Sequence, residues 1–215
     1  LAEVLLQHPE ILVITDDIYE HLIYGDIEFT TLAQVEPRLK ERTLTCNGMS
    51  KAYCMTGWRI GFAGGPESLI RAMAKLQSQS SFHPASICQH AAVAGLNGGR
   101  DFLVPQLRAY HERRDTLVLE LNRIDGIVCP VPDGAFYVFP SCAGLLGRLT
   151  TDGQILANDT DVVGYFLDTA GVALVPGRAF GFPGHFRVSY ATDIDTLISA
   201  CERIRLACET LIETN

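Results

Sequence analysis

Lys51 stands in the run Cys46-Asn47-Gly48-Met49-Ser50-Lys51-Ala52-Tyr53-Cys54-Met55-Thr56-Gly57-Trp58-Arg59-Ile60-Gly61. Small residues on either side of a lysine let backbone and ligand approach closely. Hydroxyls and an arginine suit a phosphate, because both donate hydrogen bonds and the guanidinium adds charge in a planar fork. A lysine pressed against such a pocket, near a second cation, loses proton affinity and becomes a nucleophile toward carbonyls. A lysine joined to a phosphate grip is what a protein needs to hold pyridoxal 5'-phosphate (PLP).

These residues need elements to position them. Ile11-Leu12-Val13-Ile14-Thr15 is a short apolar run, which predicts a buried parallel strand of an α/β fold. Asp16 and Tyr19 follow directly, at a carboxyl end, where ligands of open α/β sheets bind. Read alone, Asp16 can as well cap the next turn and Tyr19 can pack. Leu32 to Leu39 reads as a loosely helical connector, and Thr43-Leu44-Thr45-Cys46 as the next buried strand, ending in the turn from Gly48 to Lys51. Asp16, Tyr19 and Lys51 are thus expected at two neighbouring strand ends. Trp58 to Gly64, with Arg59 near its start, reads as a further strand, and Pro66 opens a helix to about Leu76.

A helix is expected from about Pro84 to Leu96, stopped by Asn97-Gly98-Gly99. A longer amphipathic pattern, from Asp101 as its cap to about Ile124, suits a helix crossing between domains. The Gly98-Gly99 break divides the chain into residues 1–100 and 101–215. In the second half, Gly126 to Cys129, Ala135 to Phe139, Val172 to Val175 and Phe186 to Tyr190 read as strands. Thr151 to Asp161 reads as a polar loop, Val162 to Thr169 as a helix, and Asp193 as the cap of a closing helix to about Leu211. Short strands alternating with helices imply a small α+β domain.

A net charge of −8 advertises no surface for nucleic acid or membrane. No apolar run approaches the length of a bilayer span, and no signal peptide is visible. The 7 cysteines are widely spaced, without Cys-x-x-Cys or His-Glu-x-x-His, so no disulfide scaffold or metal site is expected and a reducing cytoplasm is the default. The opening Leu1-Ala2-Glu3-Val4-Leu5-Leu6-Gln7 is already in helical rhythm without a cap, like the second half of a helix, so a fragment is expected.

The chain resembles the class I/II (fold type I) PLP-dependent aminotransferases, most closely their bacterial aspartate-aminotransferase-like branch. The likeness runs through Thr15 to Glu20, Ser50 to Gly61, Asp133-Gly134-Ala135-Phe136-Tyr137, Pro176-Gly177-Arg178-Ala179-Phe180-Gly181 and Phe186 to Ala191. It implies part of a mostly parallel-sheet, PLP-binding large domain followed by a smaller α+β C-terminal domain. Lys51 looks like the Schiff-base lysine, Asp16 like the carboxylate on the pyridine nitrogen, and Tyr19 like the phenol on the ring hydroxyl. Arg59 looks like the phosphate-gripping arginine, with Gly48 and Ser50 beside it. Arg187 looks like the arginine that takes the substrate's α-carboxylate. The implied reaction moves an amino group between an amino acid and a 2-oxo acid, in a homodimer.

Two positions depart from the family's pattern. Gly48 stands where many relatives have serine, so Ser50 is the alternative source of a hydroxyl. Arg178 stands where many have serine, and is either a solvated surface charge, the preferred reading, or a change to the pocket rim. The family's N-terminal half, with the rest of the phosphate cup, has no counterpart here, so uncovered apolar faces are expected, with either association with another chain or poor behaviour in isolation, and weak or no activity of this chain by itself. A PLP-dependent lyase or synthase, and an inert or regulatory PLP-fold module, remain alternatives on the same residues.

Overall fold

The structure, a computed structural model, describes residues 1–213. It divides into two compact units, Leu1–Val104 and the chain from Pro105 onward.

The first unit is built on a three-stranded sheet. A short helix α1 (Ala2–Leu6) leads into β1 (Val13–Asp16). The helix end is tied down by Arg42, whose guanidinium donates to the carbonyls of Leu5, His8 and Ile11 at 2.5, 2.7 and 2.8 Å. A cation there satisfies carbonyls that the helix itself leaves open. Helix α2 (Leu32–Val35) and a 3₁₀ turn over Pro37–Arg42 form the expected connector. They lead into β2 (Thr43–Gly48), which is parallel to β1 with Asp16 opposite Cys46. β3 (Gly61–Gly64) is antiparallel to β2, with Gly61 opposite Gly48. The strand expected from Trp58 starts only at Gly61. Thr56–Trp58 forms a 3₁₀ turn and Arg59 lies in the left-handed region at φ 50°, and both interrupt an extended backbone. Helices α3 (Glu67–Gln79) and α4 (Ser86–Asn97) follow.

Leu22, Leu39 and Met49 are wholly buried and anchor the loops to the sheet. β1 is not buried on both faces as its apolar run suggests. Its residues alternate between half-buried and exposed, and Ile14 is 71% exposed. An apolar run predicts burial only where some element covers each face.

Helix α5 (Leu103–Leu121) belongs to the second unit from Pro105 onward, and that unit contains the sheet of β4 (Tyr137–Val138), β5 (Val175–Pro176) and β6 (Phe186–Ser189). The strand order is β4-β6-β5, antiparallel throughout. Helix α6 (Asp159–Ala170) is capped by Asn158, whose side chain accepts from the N–H groups of Thr160 and Asp161. It therefore begins inside the stretch expected to be loop. Helix α7 (Ile194–Glu209) is capped by Asp193 as expected, through a 2.8 Å bond from the Thr196 N–H. Leu117, Val162, Phe166, Phe186, Tyr190 and Ile204 form a core with 1% exposure or less.

Three expected strands shrink. Gly126 to Cys129 makes a single bridge from Val128 to Ser141, because the Asn122 side chain bonds both the N–H and the carbonyl of Cys129. Ala135 sits at φ 62° and Pro140 lacks an N–H, so only Tyr137–Val138 pairs from the Ala135 to Phe139 run. Val172 is tied by its N–H to the Phe166 carbonyl at the helix end, which leaves only Val175–Pro176 to pair.

Candidate active site

The carboxyl ends of the parallel strands β1 and β2 lie on one edge of the first sheet, and antiparallel β3 begins at that same edge. Asp16 ends β1, and Tyr19 lies in the turn that follows. Lys51 lies in the turn after β2, between wholly buried Met49 and Ala52, which is 3% exposed. Arg59 lies two residues before β3. The topology therefore gathers Asp16, Tyr19, Lys51 and Arg59 along one sheet edge from three separate segments.

The Lys51 Nζ stands 5.7 Å from the centre of the Tyr19 ring. The Lys51 turn is fixed by its own backbone. The Cys54 N–H donates to the Lys51 carbonyl at 3.2 Å, and the Met49 N–H donates to the Ile60 carbonyl at 3.3 Å. Asp16 is exposed, and its Oδ1 accepts from the Ile18 N–H at 3.4 Å, so its carboxylate keeps capacity for a further partner. The Asx bond to Ile18 is the capping role open to Asp16 from sequence, and it leaves the second oxygen for a ligand. Arg59 is exposed, and its Nη1 donates to the Thr56 carbonyl at 2.8 Å.

Gly48 has a structural reason that the serine-for-glycine comparison does not supply. A Cβ at that position would meet the Ile60 carbonyl oxygen at 3.1 Å and the Gly61 Cα at 3.4 Å, where β2 and β3 pair most closely. Ser50 is half-buried in the same turn.

Sequence reading missed a hydrogen-bond chain beside these residues. Asn47 donates from Nδ2 to Glu20 Oε1 at 2.8 Å and accepts the Gly48 N–H on Oδ1 at 2.7 Å. It ties the segment after Tyr19 to the segment before Lys51. His21 adjoins Glu20 at 3.4 Å and meets the Tyr53 ring edge-on. Burial lowers the His21 pKa foremost, Glu20 opposes this, and Arg100 adds to it. No local spacing signals the Asn47–Glu20 bond, since 27 residues separate the two.

Arg187 lies in the second unit, on β6. Its guanidinium carbon stands 4.5 Å from the Tyr137 ring centre and 4.8 Å from that of Phe180. Such stacking holds a guanidinium in place while leaving its N–H edge available to a carboxylate. Tyr137 and Phe180 each belong to a motif that carried the family resemblance, but only the fold shows them flanking one arginine. Arg178 is not a simple surface charge. Its side chain is 50% exposed, yet its Nε bonds at 3.0 Å to Asp159, which is wholly buried.

A cavity of about 640 Å³ is lined by Thr150, Asp152, Tyr165, Asp168 and neighbours in the second unit.

The sheet edge thus presents a lysine, a carboxylate, a phenol and an arginine drawn from three segments. The class is fixed by comparison. The family model for aminotransferases of class I and II matches residues 1–204, and the chain belongs to that family. It is 54% identical over 211 residues to the aspartate aminotransferase of Rhizobium meliloti (strain 1021), covering 98% of this chain and 52% of that protein. It is 50% identical over 208 residues to the aspartate/prephenate aminotransferase of Cereibacter sphaeroides, covering 97% and 52%. Among solved structures, the Rhizobium meliloti aspartate aminotransferase superposes with a TM-score of 0.94 at 54% identity, over 97% of this chain and 52% of that one. The Thermus thermophilus aspartate aminotransferase with maleate superposes at 0.82 with 37% identity, over 96% and 50%. The chain spans about half the length of the curated relatives it matches.

Proposed function

We propose that this chain carries the lysine side of a PLP-dependent aminotransferase site, acting between an amino acid and a 2-oxo acid. In this reading residues 1–100 are part of the PLP-binding large domain and residues 101–215 form the small domain. The observation that carries it is the gathering of Asp16, Tyr19, Lys51 and Arg59 at one sheet edge, with the Lys51 ammonium above the Tyr19 ring.

The donor set fits PLP group by group. Lys51 offers an amine for the aldehyde, Asp16 a carboxylate for the ring nitrogen, and Tyr19 a phenol for the ring hydroxyl. Arg59 offers a guanidinium and Ser50 a hydroxyl for the phosphate, with Gly48 in the same cofactor-binding set. When bound, the cofactor supplies an electrophilic carbon and a ring that disperses the electrons left at the substrate's Cα.

The chain's own residues do the rest. Asp16 stabilises a proton on the ring nitrogen by charge and hydrogen bonding. The Tyr19 phenol would hydrogen-bond the cofactor's ring hydroxyl. Lys51 Nζ takes the proton from the substrate's Cα as general base and returns it as general acid. Arg187, held between Tyr137 and Phe180, pairs with the substrate's α-carboxylate through two parallel N–H bonds and so aligns the Cα–H bond. Maleate in the Thermus neighbour is a dicarboxylate, and the relatives' names specify aspartate, which supports an acidic substrate.

A homodimer in a reducing cytoplasm completes the proposal. Association with a second chain is supported by the exposed apolar side chains of the first unit. Among the described residues no helix is long and apolar enough to cross a membrane.

The direct test is an absorbance spectrum of the chain with added PLP, followed by borohydride and peptide mass. We expect a visible band, and a reduced pyridoxyl label on the peptide containing Lys51, abolished by Lys51→Ala. A label that persists in Lys51→Ala would refute the assignment.

A further inference from the structure

We infer that Asp159 is a positioning residue for Arg187, acting through the Gly177–Phe180 turn; this rests on the reading of Arg187 as the carboxylate-binding arginine. Asp159 is the first residue of α6 and is wholly buried. A carboxylate taken out of water must be bonded to persist. Two of its bonds are supplied by Arg178. The Arg178 N–H donates to Oδ2 at 2.7 Å, and the guanidinium Nε donates to Oδ1 at 3.0 Å. Burial alone would push this carboxyl up, but the two Arg178 bonds outweigh it and hold it below the usual carboxylate range.

One carboxylate therefore grips both the backbone and the side chain of the same residue. Arg178 is the second residue of the 3₁₀ turn Gly177–Phe180, so the grip fixes the turn's rotation. The turn's other end is the Phe180 ring that stands against the Arg187 guanidinium. Phe180 is 49% exposed and has little packing of its own to hold it, apart from an edge contact with Phe139. Gly177 fastens the opposite side of the turn. Its N–H donates to the His185 carbonyl at 2.7 Å, and a Cβ there would lie 2.3 Å from the Phe182 carbonyl oxygen. The turn is thus pinned at its first two residues, and Phe180 is cantilevered from them onto Arg187. The position that departs from the family's common serine is the one that makes this double bond.

The experiment uses the 215-residue chain labelled with ¹⁵N, and follows the Arg187 side-chain Nε–H resonance with and without maleate as the carboxylate probe. Phe180 shields that group by its ring current, so the resonance reports ring placement without any ligand. In Asp159→Asn we expect the unliganded Arg187 signal to move toward the position it has in Phe180→Leu, and maleate affinity to fall roughly tenfold, as for loss of one charge-assisted bond. A folded Asp159→Asn chain with an unmoved Arg187 signal would overturn the inference. Should Asp159→Asn fail to fold, Arg178→Ala carries the test. It removes the Nε bond and keeps the backbone one, and a smaller shift in the same direction is expected, with no shift overturning the inference. The carboxylate reading is tested separately by Arg187→Gln. If maleate binds the unmodified chain and Arg187→Gln alike, that reading fails, whatever Asp159→Asn does to the ring-current shift.

Discussion

At the residue scale, the proposed roles divide between groups that hold charge and groups that move a proton. Asp16 is exposed and retains an oxygen beyond its bond to the Ile18 N–H, which suits it to a charged ring nitrogen. In the catalytically competent protein, Asp16→Ala should slow exchange of the amino acid's Cα proton by on the order of a hundredfold, the usual scale for loss of a group that supports proton transfer. Cofactor absorbance should persist at higher PLP concentration. Deuterium exchange at Cα followed by NMR makes the measurement, and an unchanged exchange rate would remove Asp16 from the mechanism. Lys51, Asp16 and Arg187 are candidates that residue type and motif alone single out. Tyr137 and Phe180 as the two faces around Arg187, and Asp159 behind them, are not, because each depends on a contact between segments distant in sequence.

At the scale of elements, caps and turns decide where each side chain points. Asp193 was readable as the cap of α7 because its chemistry is local, three residues from the N–H it accepts. Asp193→Ala should cost about 1 kcal/mol of stability, the usual worth of a lost N-cap, measured by urea denaturation of the chain. A change below a few tenths would mean that the α7 start is held by packing instead. The strand expected from Trp58 failed for the opposite reason. Its residues favour extended backbone, but the chain must reverse to lay β3 antiparallel against β2, and Arg59 absorbs the reversal at positive φ. That reversal is also what brings Arg59 to the edge where Asp16 and Lys51 lie.

At the scale of the whole molecule, two properties follow from burial. Four thiols of the second unit are taken out of water. Desolvation pushes Cys129 up to about 12, Cys142 to about 11, and Cys201 and Cys208 each to about 12. An unfolded thiol loses its proton near pH 8.5. Above that pH the unfolded chain binds fewer protons than the folded one, so stability falls as pH rises from about 8.5 toward these folded values. We expect iodoacetamide at pH 8 to label exposed Cys54 first and these four only on unfolding, and the urea midpoint to drop between pH 8 and 10. Early labelling of Cys201 or Cys208 would contradict the packing of α7. The second property is apolar exposure. Leu12 and Ile14 are each 71% exposed, and Leu76 and Phe82 each 72%. Exposed apolar area of this kind associates or binds dye. The chain should enhance anilinonaphthalene sulfonate fluorescence or sediment above its monomer mass, and Ile14→Thr should weaken whichever is seen.

The sequence by itself determined the family, the α/β alternation, the parallel pairing of the first two strands, and the identity of the candidate lysine, carboxylate and arginines. These are legible because local chemistry and motif order encode them: an apolar run followed by Asp and Tyr, a lysine among small residues, a cap three positions from its helix. Tertiary structure decided what touches what. It set Lys51 over Tyr19, tied Asn47 to Glu20, flanked Arg187 with two rings, and buried Asp159 under a residue whose type alone suggested a surface charge. It also shortened the strands of the second unit, because an extended run becomes a strand only where a partner edge is free to accept its hydrogen bonds. Those contacts join segments separated by up to dozens of residues, and no spacing in the chain specifies them before it folds.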